Sequence, residues 1–359
     1  MKRVGSRFVA PRWLVGGHAQ TVAGLALRAR VNAHRDVHRR RERIPTTDGD
    51  FLDLDWFESG DAASRASAAH ANAAHVPLVL LLHGLEGSTN SGYVKVLARE
   101  LAAAGLASVG LNFRSCSGEL NRGPRLYHAG ETDDVEFVIL QLAARHPRRP
   151  LAAVGFSIGG NILLRWLGEA GERATGLLDA AAVVSVPFDI EAGARFMEAS
   201  ASRLYLRHLL PSLRAKVAAK RELLRGRIDV QRALAARTFF EFDDAATSPL
   251  YGFKDVHDYY RRASCAPWIG GVRVPTLVVH ALDDPFLPAS AVPTAAIAAN
   301  PALIPAISEH GGHVGFIHGR PWAPRFFAEA AVTDHLARML VSARGFGPPR
   351  TASFTAMPR

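Results

Sequence analysis

One serine lies between glycines in the run Gly155-Phe156-Ser157-Ile158-Gly159. An apolar stretch, residues 151–154, leads directly into this run, and a second apolar stretch leads out of it. A sharp turn from a buried strand into a helix strains the serine backbone and raises its hydroxyl above the sheet, next to the positive end of the helix. We therefore predict that Ser157 is a nucleophile that attacks acyl carbon. The alternative is an ordinary glycine-rich turn with a solvated serine.

A serine hydroxyl needs a base to take its proton and an acid to orient that base. In a fold with this strand-to-helix turn the acid is expected after a late strand, and Asp283 and Asp284 follow the predicted strand 276–280. We choose Asp284 as the orienting acid, because it lies furthest past the strand, directly before Pro285. Asp283 stays open as the alternative acid, or as a cap for the turn.

The base is expected near the end of the chain, where the run His310-Gly311-Gly312-His313 follows another apolar stretch. We choose His313, because the two glycines before it let the loop carry the imidazole towards the serine. His310 and His318 are expected to be loop or surface residues. A metal site built on these histidines and His280 lacks the carboxylates or thiolates that would support it, so no metal is predicted.

Acyl transfer also needs two amide N–H groups aimed at the developing oxyanion. The run His83-Gly84-Leu85-Glu86-Gly87 follows the apolar stretch 78–82. We predict that the backbone amides of Leu85 and Ile158 form the oxyanion hole, with His83 and Gly84 in support. The alternative is a glycine turn that only lets the chain leave its strand.

The segment from Arg114 to Asp134 is unusually polar for a connection between a strand and a helix. It can form a buried hydrogen-bond network under the active site, with Arg114, Glu119 and His128 as the supporting side chains. It can equally be a solvated loop that ends in a helix N-cap at Thr132.

Apolar stretches alternate with helical periodicity along most of the chain, which predicts a mostly parallel sheet with helices on both faces. The fold class is therefore α/β. A helical, basic insertion at about 188–272 is expected to cap the sheet edge where ligands bind. We predict a basic N-terminal arm at 1–43, a main domain at 44–345 that opens with a hairpin at 43–59, and a loose tail at 346–359. The other strands are predicted at 78–82, 107–111, 151–154, 181–186, 276–280 and 302–307, and helices at 132–145, 158–167 and 325–344.

Composition limits the function classes. The 359 residues are 48% hydrophobic and 21% charged, which excludes a disordered or collagen-like chain, and two cysteines exclude a disulfide scaffold. Basic residues exceed acidic ones by 43 to 33, for a net charge of +10. The basic segments 1–45 and 203–232 lack the interleaved aromatic residues of single-strand binders, so we expect contact with an anionic membrane surface and no nucleic-acid partner. With no signal peptide and no long apolar run, the expected location is cytoplasmic.

Several segments together resemble the YheT-like α/β-hydrolases, which are related to eukaryotic α/β-hydrolase-domain esterases and lipases. The resemblance covers roughly residues 8–340, and its most specific part is 112–134. It implies an α/β-hydrolase fold, Ser157, Asp284 and His313 as catalytic triad, and hydrolysis of acyl lipids or short acyl esters. Ser115 departs from the glycine expected at that position of the family motif. The matching runs are 49–54, 83–88, 112–134, 155–161, 281–286 and 310–316.

These observations predict a serine hydrolase that cleaves carboxylic esters through an acyl-enzyme and needs no cofactor. One alternative is an acyltransferase that passes the acyl group to an alcohol. The other is a non-catalytic binding protein on a hydrolase scaffold, although such a scaffold has no need for the full set of nucleophile, base and acid.

Overall fold

The predicted apolar stretches form the strands of one central sheet. The computed structural model describes residues 8–30, 37–59, 76–199 and 201–343. Within these ranges eight strands are ordered β1-β2-β4-β3-β5-β6-β7-β8; β3 to β8 run parallel, and β1 and β2 form an antiparallel edge. The strands are β1 (Val37–Pro45), β2 (Phe51–Ser59), β3 (Leu78–Leu82), β4 (Ala107–Asn112), β5 (Leu151–Phe156), β6 (Ala180–Val184), β7 (Thr276–Ala281) and β8 (Leu303–Ser308).

Helices cover both faces of this sheet, as predicted. Strand β3 shows why: Leu80 belongs to a core shared with the helices Asp133–Arg145 and Ile158–Ala170, whereas its neighbour Val79 belongs to a second core shared with the helices Gly92–Ala103 and Phe327–Ala343. All five β3 residues are buried, which is the state of a parallel strand covered on both sides. The helices of the main body are α1 (Gly17–Arg30), α2 (Gly92–Ala103), α3 (Asp133–Arg145), α4 (Ile158–Ala170), α5 (Glu172–Thr175), α13 (Thr294–Ala299) and α14 (Phe327–Ala343).

The residues between β6 and β7 are helical and carry a core of their own. This cap core includes Leu210 and Val217 of one helix and Tyr259 and Tyr260 of another. The cap helices are α6 (Ile190–Ala199), α7 (Arg203–Ala219), α8 (Arg221–Leu224), α9 (Val230–Ala235), α10 (Phe239–Phe242), α11 (Ser248–Leu250) and α12 (Val256–Ala263), with a π-helical turn at Asp243–Thr247 and a 3₁₀ turn at Ala266–Gly271. A further 3₁₀ turn, Ala289–Ala291, follows β7 in the main body.

The hairpin predicted at 43–59 is present, but its first strand begins earlier, at Val37. Residues 39–43 of this strand are all charged. Arg41 makes two hydrogen bonds of 2.8 and 2.9 Å to the Asp55 carboxylate, and Arg43 makes two of the same lengths to Asp53. Charged side chains of this kind are typical of an edge strand. The start of β1 was not predicted because it lacks the apolar pattern of the other strands.

Two elements near the chain ends were not predicted. Helix α1 lies inside the segment expected to be an arm, and a small hairpin of β9 (Ile317–Arg320) and β10 (Ala323–Phe326) precedes α14, which therefore begins at Phe327 instead of 325. Residues 1–7 and 31–36 of the arm, and the predicted tail at 346–359, lie outside the described residues, and the proposed domain limits stay a prediction. No described helix combines the length and apolar character needed to cross a bilayer.

Candidate active site

Ser157 stands at the turn between β5 and α4, as predicted. Its φ of 51° lies in the left-handed region, which costs a non-glycine residue free energy and is typical of strained functional turns. Gly159 permits the tight packing around this turn, because a Cβ there would lie 2.5 Å from the His83 carbonyl oxygen. The strained backbone of Ser157 and the absence of a side chain at Gly159 together let the serine pack against the loop that follows β3.

The structure brings Ser157, His313 and Asp284 into one hydrogen-bonded chain. His313 Nε2 lies 2.9 Å from Ser157 Oγ, and His313 Nδ1 lies 2.9 and 3.1 Å from the two carboxylate oxygens of Asp284. Asp284 is buried and acts only as an acceptor when ionised, so Nδ1 carries the proton and Nε2 is left to accept from the serine hydroxyl. The ring of Phe286 stacks on the imidazole at 4.0 Å between centroids, which fixes the plane of the base.

Asp283, the alternative acid, holds the histidine loop instead of the imidazole. One carboxylate oxygen of Asp283 accepts from the Gly312 N–H at 2.9 Å, and the other lies 3.2 Å from His310 Nδ1. Gly312 has a φ of 62°, and a Cβ there would lie 2.7 Å from the Thr21 hydroxyl. This geometry favours Asp284 over Asp283 as the partner of His313.

Helix α1 supports the histidine loop from outside, a role that the sequence did not reveal. The N–H of His313 donates to the Thr21 hydroxyl at 2.8 Å. Further along α1, the Arg28 guanidinium donates to the Val314 carbonyl at 2.7 Å and pairs with buried Glu329. The absence of any Asp or Glu in α1 is a weak signal in the sequence, but nothing local places the helix on this loop.

The predicted oxyanion donors lie on the two segments that meet at the turn. A Cβ added to Gly84 would lie 3.2 Å from the Ser157 Cβ, so the loop after β3 passes directly over the serine. In the described part of the chain, the amides of Leu85 and Ile158 have no other acceptor, so both can donate to an oxyanion.

His83 braces this loop as a neutral residue. The Phe113 N–H donates to Nε2 at 3.1 Å, so the proton lies on Nδ1, which donates to the Gly84 carbonyl at 2.7 Å. Burial lowers the pKa of His83 to about 4, so the ring stays neutral near pH 7.

Glu86, the next residue along the loop, connects it to the cap. Its φ is 53° and its carboxylate is buried. One carboxylate oxygen accepts from Lys216 Nζ at 2.7 Å and from the Tyr127 hydroxyl at 2.9 Å, and the other accepts from the Ser212 hydroxyl. Ser212 and Lys216 are one turn apart on α7, so the ion pair joins the cap directly to the loop after β3. We call this loop, residues 83–87, the oxyanion loop, because it carries the predicted donor Leu85.

The remaining supporting candidates lie at different distances from the serine. Arg114 is buried and makes two hydrogen bonds of 2.7 and 2.8 Å to Asp134, so it braces the segment after β4 and does not line the active-site cavity. Glu119 pairs with Arg43 at the exposed edge of the sheet. His128 does line the cavity, with its ring tilted by 57° against that of Tyr251 at 4.2 Å between centroids, and burial lowers its pKa to about 3.

Ser115 adopts a φ of 63°, which explains why the family motif has glycine there. Metal ligands are a separate question. Among the described residues no three His, Cys, Asp or Glu side chains are grouped so that they could hold a metal ion.

A cavity of about 870 Å³ opens at Ser157 and extends under the cap. Cap helices form a mostly apolar wall of this cavity, and residues of α1 and of the start of α2 line another part of it. The apolar cap residues on this wall include Met197, Leu209, Leu213, Val217, Leu224, Phe239, Phe242 and Leu250. Such a chamber can hold an apolar chain with one end at the serine.

The fold and this site define the class of protein. A family model for the alpha/beta hydrolase fold matches residues 77–319, and the chain belongs to that family. YheT of Escherichia coli, whose name assigns it provisionally to the esterases, is 36% identical over 342 residues, which cover 93% of this chain and 94% of YheT. This likeness confirms the YheT-like resemblance drawn from the motifs.

Two further comparisons agree. Phospholipase ABHD3 of Homo sapiens is 32% identical over 308 residues, covering 86% of this chain and 73% of that protein. The solved structure of the Pyrococcus furiosus esterase Pf2001 matches with a TM-score of 0.54 at 14% identity, over 95% of this chain and 99% of that one. At that identity the structural match shows a shared fold and nothing finer.

Proposed function

We propose that this protein hydrolyses carboxylic esters through a covalent acyl-enzyme, with Ser157 as nucleophile, His313 as base and Asp284 as orienting acid. The observation that carries the proposal is the unbroken chain from Ser157 Oγ through His313 to Asp284, with contacts of 2.9 Å on each side of the imidazole. The names of the relatives support the same reaction class, since one is named an esterase and another a phospholipase.

The geometry supports a specific order of proton transfers. Ser157 Oγ attacks the ester carbonyl while its proton moves to His313 Nε2, and Asp284 stabilises the imidazolium that results. The amides of Leu85 and Ile158 hold the oxyanion of the tetrahedral intermediate. His313 then donates its proton to the leaving alkoxide, the acyl-enzyme remains, and a water activated by the same imidazole releases the carboxylic acid and restores the serine.

The cavity favours esters with an apolar acyl chain. A cavity of about 870 Å³ with an aliphatic and aromatic cap wall has room for a medium or long chain, and burial of each methylene is worth about 0.8 kcal/mol. We therefore include acyl lipids, along with short and medium-chain acyl esters, in the substrate class. No residue of this machinery requires an organic cofactor.

The test compares Ser157→Ala with the wild type in two assays. A fluorophosphonate probe should label only the wild type, and hydrolysis of p-nitrophenyl esters should fall by about ten-thousand-fold or more in the variant. Circular dichroism should show that the variant is folded. Unchanged turnover by Ser157→Ala would refute the proposal, and labelling without any ester turnover would favour the binding-protein alternative.

A matched pair of histidine variants tests the base. His313→Ala should lose activity about as severely as Ser157→Ala, whereas His310→Ala, on the same loop but facing solvent, should keep most of it.

Adding a primary alcohol to the wild-type assay tests whether water or an alcohol accepts the acyl group. A new ester as the main product would show that acyl transfer, and not hydrolysis, is the favoured reaction.

A further inference from the structure

In helix α1 the buried side chains are polar, and two large apolar side chains are exposed. On the buried side, the Gln20 amide hydrogen-bonds with the Ile317 N–H and carbonyl at 2.7 and 3.1 Å, and Arg28 pairs with Glu329. On the outer side, Val22 is 57% exposed and Leu25 is 75% exposed. A surface helix in water normally shows the reverse arrangement, so this face is built to contact something other than water.

Other exposed apolar side chains belong to elements that contact α1. Trp322, 76% exposed, stands in the turn of the β9–β10 hairpin, whose first strand is hydrogen-bonded to α1 through Gln20. Leu204, 60% exposed, belongs to cap helix α7, which touches α1 where the Tyr205 ring stacks on His18. We call Val22, Leu25, Leu204 and Trp322 the apolar rim.

Two members of the apolar rim lie at the active-site cavity. Val22 and Leu25 line the cavity wall together with Ser157 and His313. A partner seated on the rim would therefore stand at the point where substrate enters.

The charge around the rim is positive. Residues 8–30 contain the exposed Arg12 and Arg30 and no Asp or Glu, whereas Arg28 is buried and its charge is balanced by Glu329. On α7 the exposed Arg203 and Arg207 stand on either side of Leu204 in the sequence. Exposed apolar side chains bordered by arginines match the interface of a bilayer that carries anionic lipid, where the apolar groups enter the acyl boundary and the cations stay with the phosphates.

We propose that the apolar rim docks this protein on the surface of an anionic lipid bilayer, with the mouth of the cavity facing the lipid. The proposal rests on the proposed function only in taking the bilayer as the source of ester substrate; docking itself needs no catalysis. A protein partner or a second copy of this chain would need the same apolar face but not the same dependence on lipid charge.

The experiment measures sedimentation with vesicles, in the Ser157→Ala background so that no lipid is consumed. Vesicles of equal parts phosphatidylglycerol and phosphatidylcholine should pull down the protein, and pure phosphatidylcholine vesicles should bind it at least several-fold more weakly. Leu25→Glu should weaken binding to the anionic vesicles about tenfold or more, because it removes one apolar side chain from the contact with lipid and adds a negative charge. Trp322→Glu should act in the same direction.

Trp268→Glu is the matched control. Trp268 is also exposed, at 38%, but it packs on Gly168 near the far end of α4 from Ser157, away from the cavity mouth. It should bind vesicles like the parent, and thermal unfolding should show that all three variants are folded. Salt of about 0.5 M should reduce binding to the anionic vesicles, because it screens the arginines.

Two results would overturn the proposal. One is binding that neither Leu25→Glu nor Trp322→Glu reduces. The other is the absence of vesicle binding together with a dimer by light scattering that Leu25→Glu dissociates, which would assign the rim to a second copy of the chain. Either result leaves ester hydrolysis in solution untouched, so failure of docking is distinguishable from failure of the proposed function.

Discussion

The carboxyl edge of the sheet and the cap differ in where the backbone is strained. In the described chain six non-glycine residues have a positive φ, and all six follow the ends of sheet strands: Glu86, Ser115, Ser157, Ser185, Val314 and Phe316. None of them lies in the cap. The cap instead consists of helices joined around apolar and aromatic side chains.

This difference separates two tasks. Strained turns persist only where the surrounding packing holds them, and the aliphatic strands on both faces of the sheet supply that packing. Reacting groups placed there are held in one geometry. Side chains of the cap line the cavity without such strain, so the cap can change size and shape at lower cost in stability. We expect changes at the edge to alter the reaction itself and changes in the cap to alter the choice of substrate.

The largest effect should come from the acid at the edge. Asp284→Asn should lower kcat by about ten-thousand-fold, because an amide favours the wrong tautomer of His313. Asp283→Asn removes a carboxylate oxygen that holds the histidine loop but leaves the His313 imidazole with its partner. It should lower kcat by less than about a hundredfold. Steady-state kinetics on a p-nitrophenyl ester compare the two. Similar losses of kcat in both variants would mean that the histidine loop, and not the contact with Asp284, holds His313 in its active position.

The ion pair between edge and cap should have the next largest effect. Lys216→Met leaves the buried Glu86 carboxylate without its cation and should lower kcat by about tenfold to a hundredfold, because the carboxylate destabilises the oxyanion loop. Glu86→Gln should cost a similar factor. The double variant should lose less than the product of the two single losses, since both remove one interaction.

Lys216→Arg is the control for this pair, because it keeps the charge and should recover part of kcat. If the double variant instead shows the full product of both losses, Glu86 and Lys216 act separately and the cap is not coupled to the oxyanion loop through them.

Acid should destabilise the edge through His83. Its pKa of about 4 in the folded protein lies below the ordinary value of 6.5, so the unfolded state binds the proton more tightly. The contribution of the neutral His83 ring to the free energy of unfolding is fully present above pH 6.5 and is lost as the pH falls towards 4. Between pH 7 and pH 5 this contribution should decrease by about 2 kcal/mol. Urea unfolding at both values measures it. In His83→Gln the decrease should be smaller by that amount, whereas the exposed His208→Gln should behave like the wild type.

The smallest effect, and the one most specific to the cap, concerns acyl-chain length. Leu213→Trp should fill part of the cavity and lower kcat/KM for long-chain p-nitrophenyl esters about tenfold relative to the butyrate. Leu223→Trp, on the exposed side of a cap helix, should leave the chain-length profile unchanged. A uniform loss over all chain lengths would show that the cap wall does not select the acyl group.

Predictions from the sequence were accurate for the buried strands and for the residues that follow them. Continuous apolar stretches such as 78–82 and 276–280 admit few structures other than a strand covered on both faces. Ser157, Asp284 and His313 each follow such a stretch, and parallel strands bring their carboxyl ends to one edge, so their meeting could be expected before any coordinates. The charged first part of strand β1, the hairpin β9–β10 and helix α1 were missed because none shows the usual apolar pattern.

The amino-acid sequence by itself determined the sheet, the order of nucleophile, acid and base, and the chemistry open to them, because these depend on local apolar patterns and on residue types. Only the tertiary structure decided that Asp284 and not Asp283 holds His313, that Glu86 meets Lys216, and that α1 turns its apolar face outward beside the cavity. Each of these is a contact between segments far apart along the chain. Such contacts depend on how the elements pack together, which no local pattern records.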